Sequence, residues 1–97
     1  MAFWVYILRC ADGSYYTGHT DDLECRVAQH NAGDIPGYTH KRRPVKLIYC
    51  TDFPTREEAL AAEMQMKGWT RAKKEALIAK DWDRLQALSK SYSTRSP

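Results

Sequence analysis

At 97 residues the chain has room for one compact domain built on a single hydrophobic core. Hydrophobic residues at 43% and charged residues at 28% give the balance of an ordinary globular protein, which excludes collagen-like, mucin-like and wholly disordered chains. Fifteen Lys and Arg against twelve Asp and Glu leave a net charge of +3, which permits a polyanionic partner without requiring one.

The start, "MAFWVYILRC", has no basic leader ahead of its apolar stretch, and no apolar run approaches the roughly 18 residues of a membrane span. An untargeted cytoplasmic protein with no membrane contact is expected. Residues Phe3 to Cys10 are apolar or aromatic on both alternating faces, as in a central strand covered on both sides. "ADG" then reads as a turn and "SYYTG" as the returning strand. A two-residue Asp12-Gly13 turn would pair Leu8 with Thr17 and send Tyr6 and Tyr16 to opposite faces. A three-residue loop, Ala11 to Gly13, would instead pair Leu8 with Tyr16 and Tyr6 with Gly18, placing both tyrosines on one face.

"TDDLECRVAQHNAG" reads as a helix with Thr20 or Asp21 as N-cap, Leu23 and Val27 on one stripe, and Gly33 as the stop. Arg26 and His30 lie four apart, so they share a face that borders this stripe. "DIPGYTHKRRP" is a loop by its Pro and Gly content, and Val45 to Cys50 is a third strand. A right-handed crossover through the first helix makes strand three parallel to strand two, beyond strand one, and gives the order 2-1-3.

Thr55 and Glu58 have capping-box spacing ahead of an Ala- and Met-rich helix. A wheel puts Ala59 and Met66 on one side of Glu63 and Leu60 and Met64 on the other, so a carboxylate interrupts an apolar stripe. Burying it as an ion requires a cation, a metal ion or access to water. A helix from Thr70 to about Lys80 and a turn or two around Trp82 to Leu88 complete the body. The expected organisation is one α/β (α+β) sandwich domain over residues 1–88, with residues 89–97 as a disordered tail. Cys10, Cys25 and Cys50 are odd in number and far apart, so reduced thiols are expected.

Two tyrosines, an Arg and a His from one helix and a Glu from another make a set suited to cutting a phosphodiester. Arg matches phosphate geometry and stabilises developing charge; Glu with water can hold one Mg²⁺; Tyr or His can take a proton from attacking water. Basic residues gather in "HKRRPVK" and "TRAKK", a pattern suited to a polyanion.

With these residues in place, the sequence resembles GIY-YIG nuclease domains, most closely the small stand-alone bacterial ones. The two name-giving tripeptides stand here as Val5-Tyr6-Ile7 and Tyr16-Thr17-Gly18, followed by "DDLECRVAQHNAG", "YTHKRRPVKLIY" and "EEALAAEMQMKGW". The likeness covers roughly residues 3 to 80. It implies a three-stranded sandwich, selects the three-residue hairpin loop, and implies one-metal hydrolysis of nucleic acid with Mg²⁺ or Mn²⁺. By position, Tyr6 would be the general base or orient the water, Tyr16 would contact the phosphate, and Arg26 would stabilise the pentavalent phosphorus. His30 would assist the proton transfer or position Tyr6, and Glu63 would hold the metal. This chain departs from the family pattern at Val5, where glycine is usual, and at His19, where many members carry lysine. It also offers Glu75 and no nearby asparagine on the helix after Glu63.

The expectation is therefore a metal-dependent endonuclease acting on DNA, with a role in DNA repair or processing. A nucleic-acid-binding module on the same scaffold is the alternative. Binding would run through Gly18, His19, Thr39, Lys41, Arg42, Arg43, Arg71, Lys73 and Lys74, dominated by phosphate contacts and sensitive to salt. No apolar stripe is left over to demand a partner subunit, so a monomer or weak homodimer is expected.

Overall fold

The computed structural model describes residues 2–93. Three strands and four helices follow in the order β1 (Phe3–Arg9), β2 (Tyr15–Thr20), α1 (Leu23–Ala32), β3 (Lys46–Phe53), α2 (Arg56–Lys67), α3 (Arg71–Ile78) and α4 (Trp82–Ser93). They fall into two compact units, the first ending at Lys67 and the second beginning at Gly68.

In the first unit the sheet order is β2-β1-β3, and β1 runs antiparallel to both neighbours. β2 and β3 therefore point the same way on either side of β1, as the crossover expectation required. Val5, Tyr6, Ile7 and Leu8 of β1 are all buried, because a strand with apolar side chains on both faces can be satisfied only by cover on both. The hairpin takes the three-residue loop: Gly13 is left-handed at φ +86°, its N–H bonds the Cys10 carbonyl at 2.9 Å, and the Cys10 N–H bonds the Ser14 carbonyl at 2.8 Å. Asp12 Oδ1 accepts from the Ser14 N–H at 3.0 Å, which locks the turn. The resulting register pairs Leu8 with Tyr16 and Tyr6 with Gly18, so both tyrosines face the same side.

That side carries the core of Tyr6, Leu8, Cys10 and Val45, against which Leu23 and Val27 of α1 pack. The opposite face, bearing Val5 and Ile7, is covered by α2, whose buried residues are Ala59, Glu63 and Met66. Leu60 and Met64, expected on the apolar stripe, are instead exposed, Met64 at 67%. The stripe is thus rotated toward Ala59 and Met66 and takes Glu63 inward with it.

Boundaries moved at the start of α1 and at both ends of β3. The N-cap of α1 is Asp22, whose Oδ1 accepts the Cys25 N–H at 3.1 Å, and not Thr20 or Asp21. Thr20 is the last residue of β2, paired with Trp4, and its hydroxyl accepts from the Asp22 N–H at 3.1 Å, which pushes the helix start downstream. β3 continues past Cys50 to Phe53 because Thr51, Asp52 and Phe53 find partners in Val5, Trp4 and Phe3. Val45 lies just outside β3, held by the Asn31 side-chain amide through bonds of 2.7 and 3.1 Å.

In the second unit, Thr70 caps α3 by accepting the Lys73 N–H at 3.3 Å, and α3 packs on α4. α4 is a full helix in place of the expected turn or two, and it runs to Ser93 through much of the stretch read as tail. Residues 94–97 of that stretch lie outside the described residues. Among the described residues no helix is long and apolar enough to cross a membrane.

Candidate active site

Tyr6, Tyr16, Gly18, His19, Arg26, His30 and Glu63 line one open pocket of about 250 Å³ in the first unit. Seven residues from both faces can meet there because β2 is an edge strand with a glycine in it. A Cβ built on Gly18 would lie 2.5 Å from the Tyr6 hydroxyl oxygen and 2.6 Å from Cζ, so the phenol crosses the strand through space only glycine leaves.

Behind the phenol runs a hydrogen-bonded chain. The Tyr6 hydroxyl lies 3.1 Å from His30 Nε2, and His30 Nδ1 lies 2.7 Å from the Thr39 hydroxyl. Tyr16 completes an aromatic corner, with ring centroids 6.5 Å from Tyr6 and 5.2 Å from His30. Burial, reinforced by Tyr16, holds the Tyr6 phenol far above its ordinary value, so the phenolate is not a resting state. Burial, with help from the Arg26 guanidinium, holds His30 below its ordinary value, so the imidazole rests neutral. Among the described residues no carboxylate pairs with Arg26, which leaves its guanidinium to the pocket.

On the other wall, Glu63 is 7% exposed and accepts from Lys67 Nζ at 2.8 Å; its second oxygen contacts His19 Nδ1. Burial alone would raise the Glu63 carboxyl, but the bonds from Lys67 and His19 outweigh it and hold the group below its usual range. Glu63 is therefore an ionised oxygen donor in the pocket wall, the kind of ligand a hard divalent cation takes. Among the described residues no cluster of three or more His, Cys, Asp and Glu is arranged to hold an ion, so waters and a substrate phosphate would have to complete its shell. An arriving cation would take the place of His19 or Lys67 at the carboxylate. Lys67 was not picked out from sequence, although its i,i+4 spacing from Glu63 was a readable sign.

The residues expected to bind nucleic acid separate. His19 and Gly18 are in the pocket; Thr39 is 1% exposed, sits behind His30, and is out of reach of a polyanion. Arg42 is occupied by Asp12 at 3.0 Å, by the Tyr38 carbonyl at 2.7 Å and by stacking over the Tyr38 ring. Arg43 donates to the His40 carbonyl at 2.9 Å, and both it and Lys41 are exposed. In the second unit Arg71 pairs with Glu75 at 3.3 Å, Lys73 lies over the Trp69 ring, and Lys74 lies on α3.

The neutral, buried His30 makes stability depend on pH. On acidification the unfolded chain binds the proton first, near the ordinary 6.5, while the folded chain resists it. Stability is complete above that value and declines below it. The melting temperature should fall between about pH 7.5 and about pH 5.5, and fall less in His30→Gln. Equal losses in the two proteins would show that His30 is not the group responsible.

The GIY-YIG catalytic-domain family matches residues 2–76 of the chain. A UPF0213 protein of Halobacterium salinarum is 49% identical over 74 residues, covering 76% of this chain and 96% of that protein. A UPF0213 protein of Streptococcus pneumoniae is 46% identical over 81 residues, covering 84% of this chain and 82% of that one. Among solved structures, the solution NMR structure of a UPF0213 protein from Bacillus halodurans superimposes with a TM-score of 0.54 at 43% identity, covering 81% of this chain and 84% of that one. That of protein EF2693 from E. faecalis gives 0.58 at 41%, covering 82% and 85%.

Proposed function

Because the chain belongs to the GIY-YIG catalytic-domain family, a branch of the nuclease superfamily, we propose that it is a metal-dependent endonuclease that hydrolyses phosphodiester bonds in DNA. The observation that carries this reading is the Tyr6–His30 pair set against Arg26 in an open pocket whose far wall is an ionised, buried carboxylate. One Mg²⁺ or Mn²⁺ ion held by Glu63 would supply Lewis-acid stabilisation of the phosphoryl and leaving oxygens.

The protein's own groups do the rest. Tyr6 accepts a proton from the attacking water while passing its own to His30 Nε2, so no free phenolate forms. The neutral state of His30 keeps that nitrogen able to receive it. The planar Arg26 guanidinium faces the charge that builds on the non-bridging oxygens as the water oxygen bonds to phosphorus and the leaving oxygen departs. Tyr16 closes the aromatic corner and keeps the phenol and imidazole in register. Exposed Lys41 and the cations of α3 would add phosphate contacts without base specificity. A role in DNA repair or processing is the biological setting that fits such an enzyme.

Arg26→Ala should lower the single-turnover rate of metal-dependent cleavage by about 100- to 1,000-fold, with the melting temperature nearly unchanged because no carboxylate among the described residues pairs with the side chain. A variant that cuts at the wild-type rate would remove Arg26 from the transition state. A second reading, a module that binds nucleic acid without cutting, is favoured by one observation: both oxygens of Glu63 are engaged by His19 and Lys67. The two readings part on whether a metal-dependent product forms.

A further inference from the structure

We propose that Thr39 is a positioning residue that fixes the tautomer of His30, and thereby the direction of the Tyr6–His30 hydrogen bond. The inference rests on the reading of Tyr6 and His30 as the proton-transfer pair, but its central observable does not require cleavage.

Thr39 lies in the loop between α1 and β3, on a turn marked by the His40 N–H bonding the Gly37 carbonyl at 3.2 Å and the Arg42 N–H bonding the Thr39 carbonyl at 3.0 Å. Arg42 ties that turn to the β1–β2 hairpin: its Nε meets Asp12 at 3.0 Å, and its carbonyl accepts from the Ala11 N–H at 2.9 Å. A loop anchored in this way delivers a fully buried hydroxyl to a fully buried imidazole.

A neutral imidazole has one N–H and one lone-pair nitrogen. Two hydroxyls, those of Tyr6 and Thr39, flank the ring of His30, and only one of them can donate to it. A phenol is the stronger acid and the better donor, so Tyr6 O–H takes the lone pair of Nε2. Nδ1 must then carry the hydrogen and donate it to Thr39 Oγ1, 2.7 Å away. Arg26 bears on the ring as a cation and favours the neutral form in which this choice exists. In this tautomer Nε2 can receive the Tyr6 proton. In the other, Nε2–H donates to the phenol oxygen and cannot accept.

The test is long-range ¹H–¹⁵N correlation of the histidine rings in wild type, Thr39→Val and Thr39→Ser, with His30 assigned by comparison with His30→Gln. Metal-dependent cleavage is measured in parallel. Wild type and Thr39→Ser should show His30 protonated at Nδ1. Thr39→Val, equal in shape but without the acceptor, should lose that tautomer and cleave about tenfold or more slowly, and serine should rescue both. An Nε2–H form in wild type, or an unchanged tautomer in a folded Thr39→Val, would overturn the proposal, even if that variant were slow. The expected tautomers in a protein that cuts no substrate would uphold the assignment to Thr39 and overturn the nuclease reading alone.

Discussion

Glu63→Gln should lower metal-dependent cleavage by about two orders of magnitude or more and leave the fold intact. Glutamine fills the same volume and can still hydrogen-bond His19 and Lys67, so the pocket wall keeps its shape. What disappears is the negative charge. Lys67 is half exposed, so the lost ion pair should cost stability only about 1 kcal/mol. Binding of DNA in EDTA should be retained, since phosphate contacts made by cations elsewhere do not involve this carboxylate. Parallel measurements of cleavage, melting temperature and EDTA-phase affinity check all three parts. Full cleavage by the variant would show that Glu63 is not the metal ligand.

Gly18→Ala is the second large effect, and its cause is purely steric. The added methyl would sit 2.5 Å from the Tyr6 hydroxyl oxygen and 2.6 Å from Cζ, and a rigid phenol enclosed in the core has little freedom to yield. Swinging it aside breaks the bond to His30 and forces repacking that costs about 1–3 kcal/mol. Cleavage should fall about 100-fold or more. Gly13→Ala is the matched control. Nothing lies within 4 Å of its Cβ, so it strains only the left-handed backbone and should lower the melting temperature without the loss of rate. A Gly18→Ala variant as active as wild type would mean that the phenol's path past the strand is not required.

The parts of this molecule that follow local chemistry were legible in the sequence. Apolar residues on both faces marked β1 as central, and Gly33 marked the end of α1, where it takes the left-handed conformation. The hairpin register was undecided from spacing alone, because two turn lengths suited "ADG"; the family resemblance chose between them, and the left-handed Gly13 agrees. The wheel of α2 marked Glu63 as unusual, yet it could not say which flank of the stripe would be buried, since Ala and Met are apolar on both sides. Thr39 was misread as a nucleic-acid contact because its neighbours Lys41, Arg42 and Arg43 are basic. Only the tertiary fold shows the loop turning that one hydroxyl inward onto His30. The pairing of Arg42 with Asp12, 30 residues away in sequence, was likewise invisible to any local pattern.

The most direct measurement is strand scission of end-labelled single-stranded, duplex and branched DNA by purified protein in Mg²⁺, Mn²⁺ or EDTA, run beside Arg26→Ala and Glu63→Gln of confirmed fold. The expected result is a product that requires the divalent ion and is lost in both variants. Absence of product with every substrate and ion, or equal product from wild type and both variants, would contradict the assignment of catalysis to this pocket.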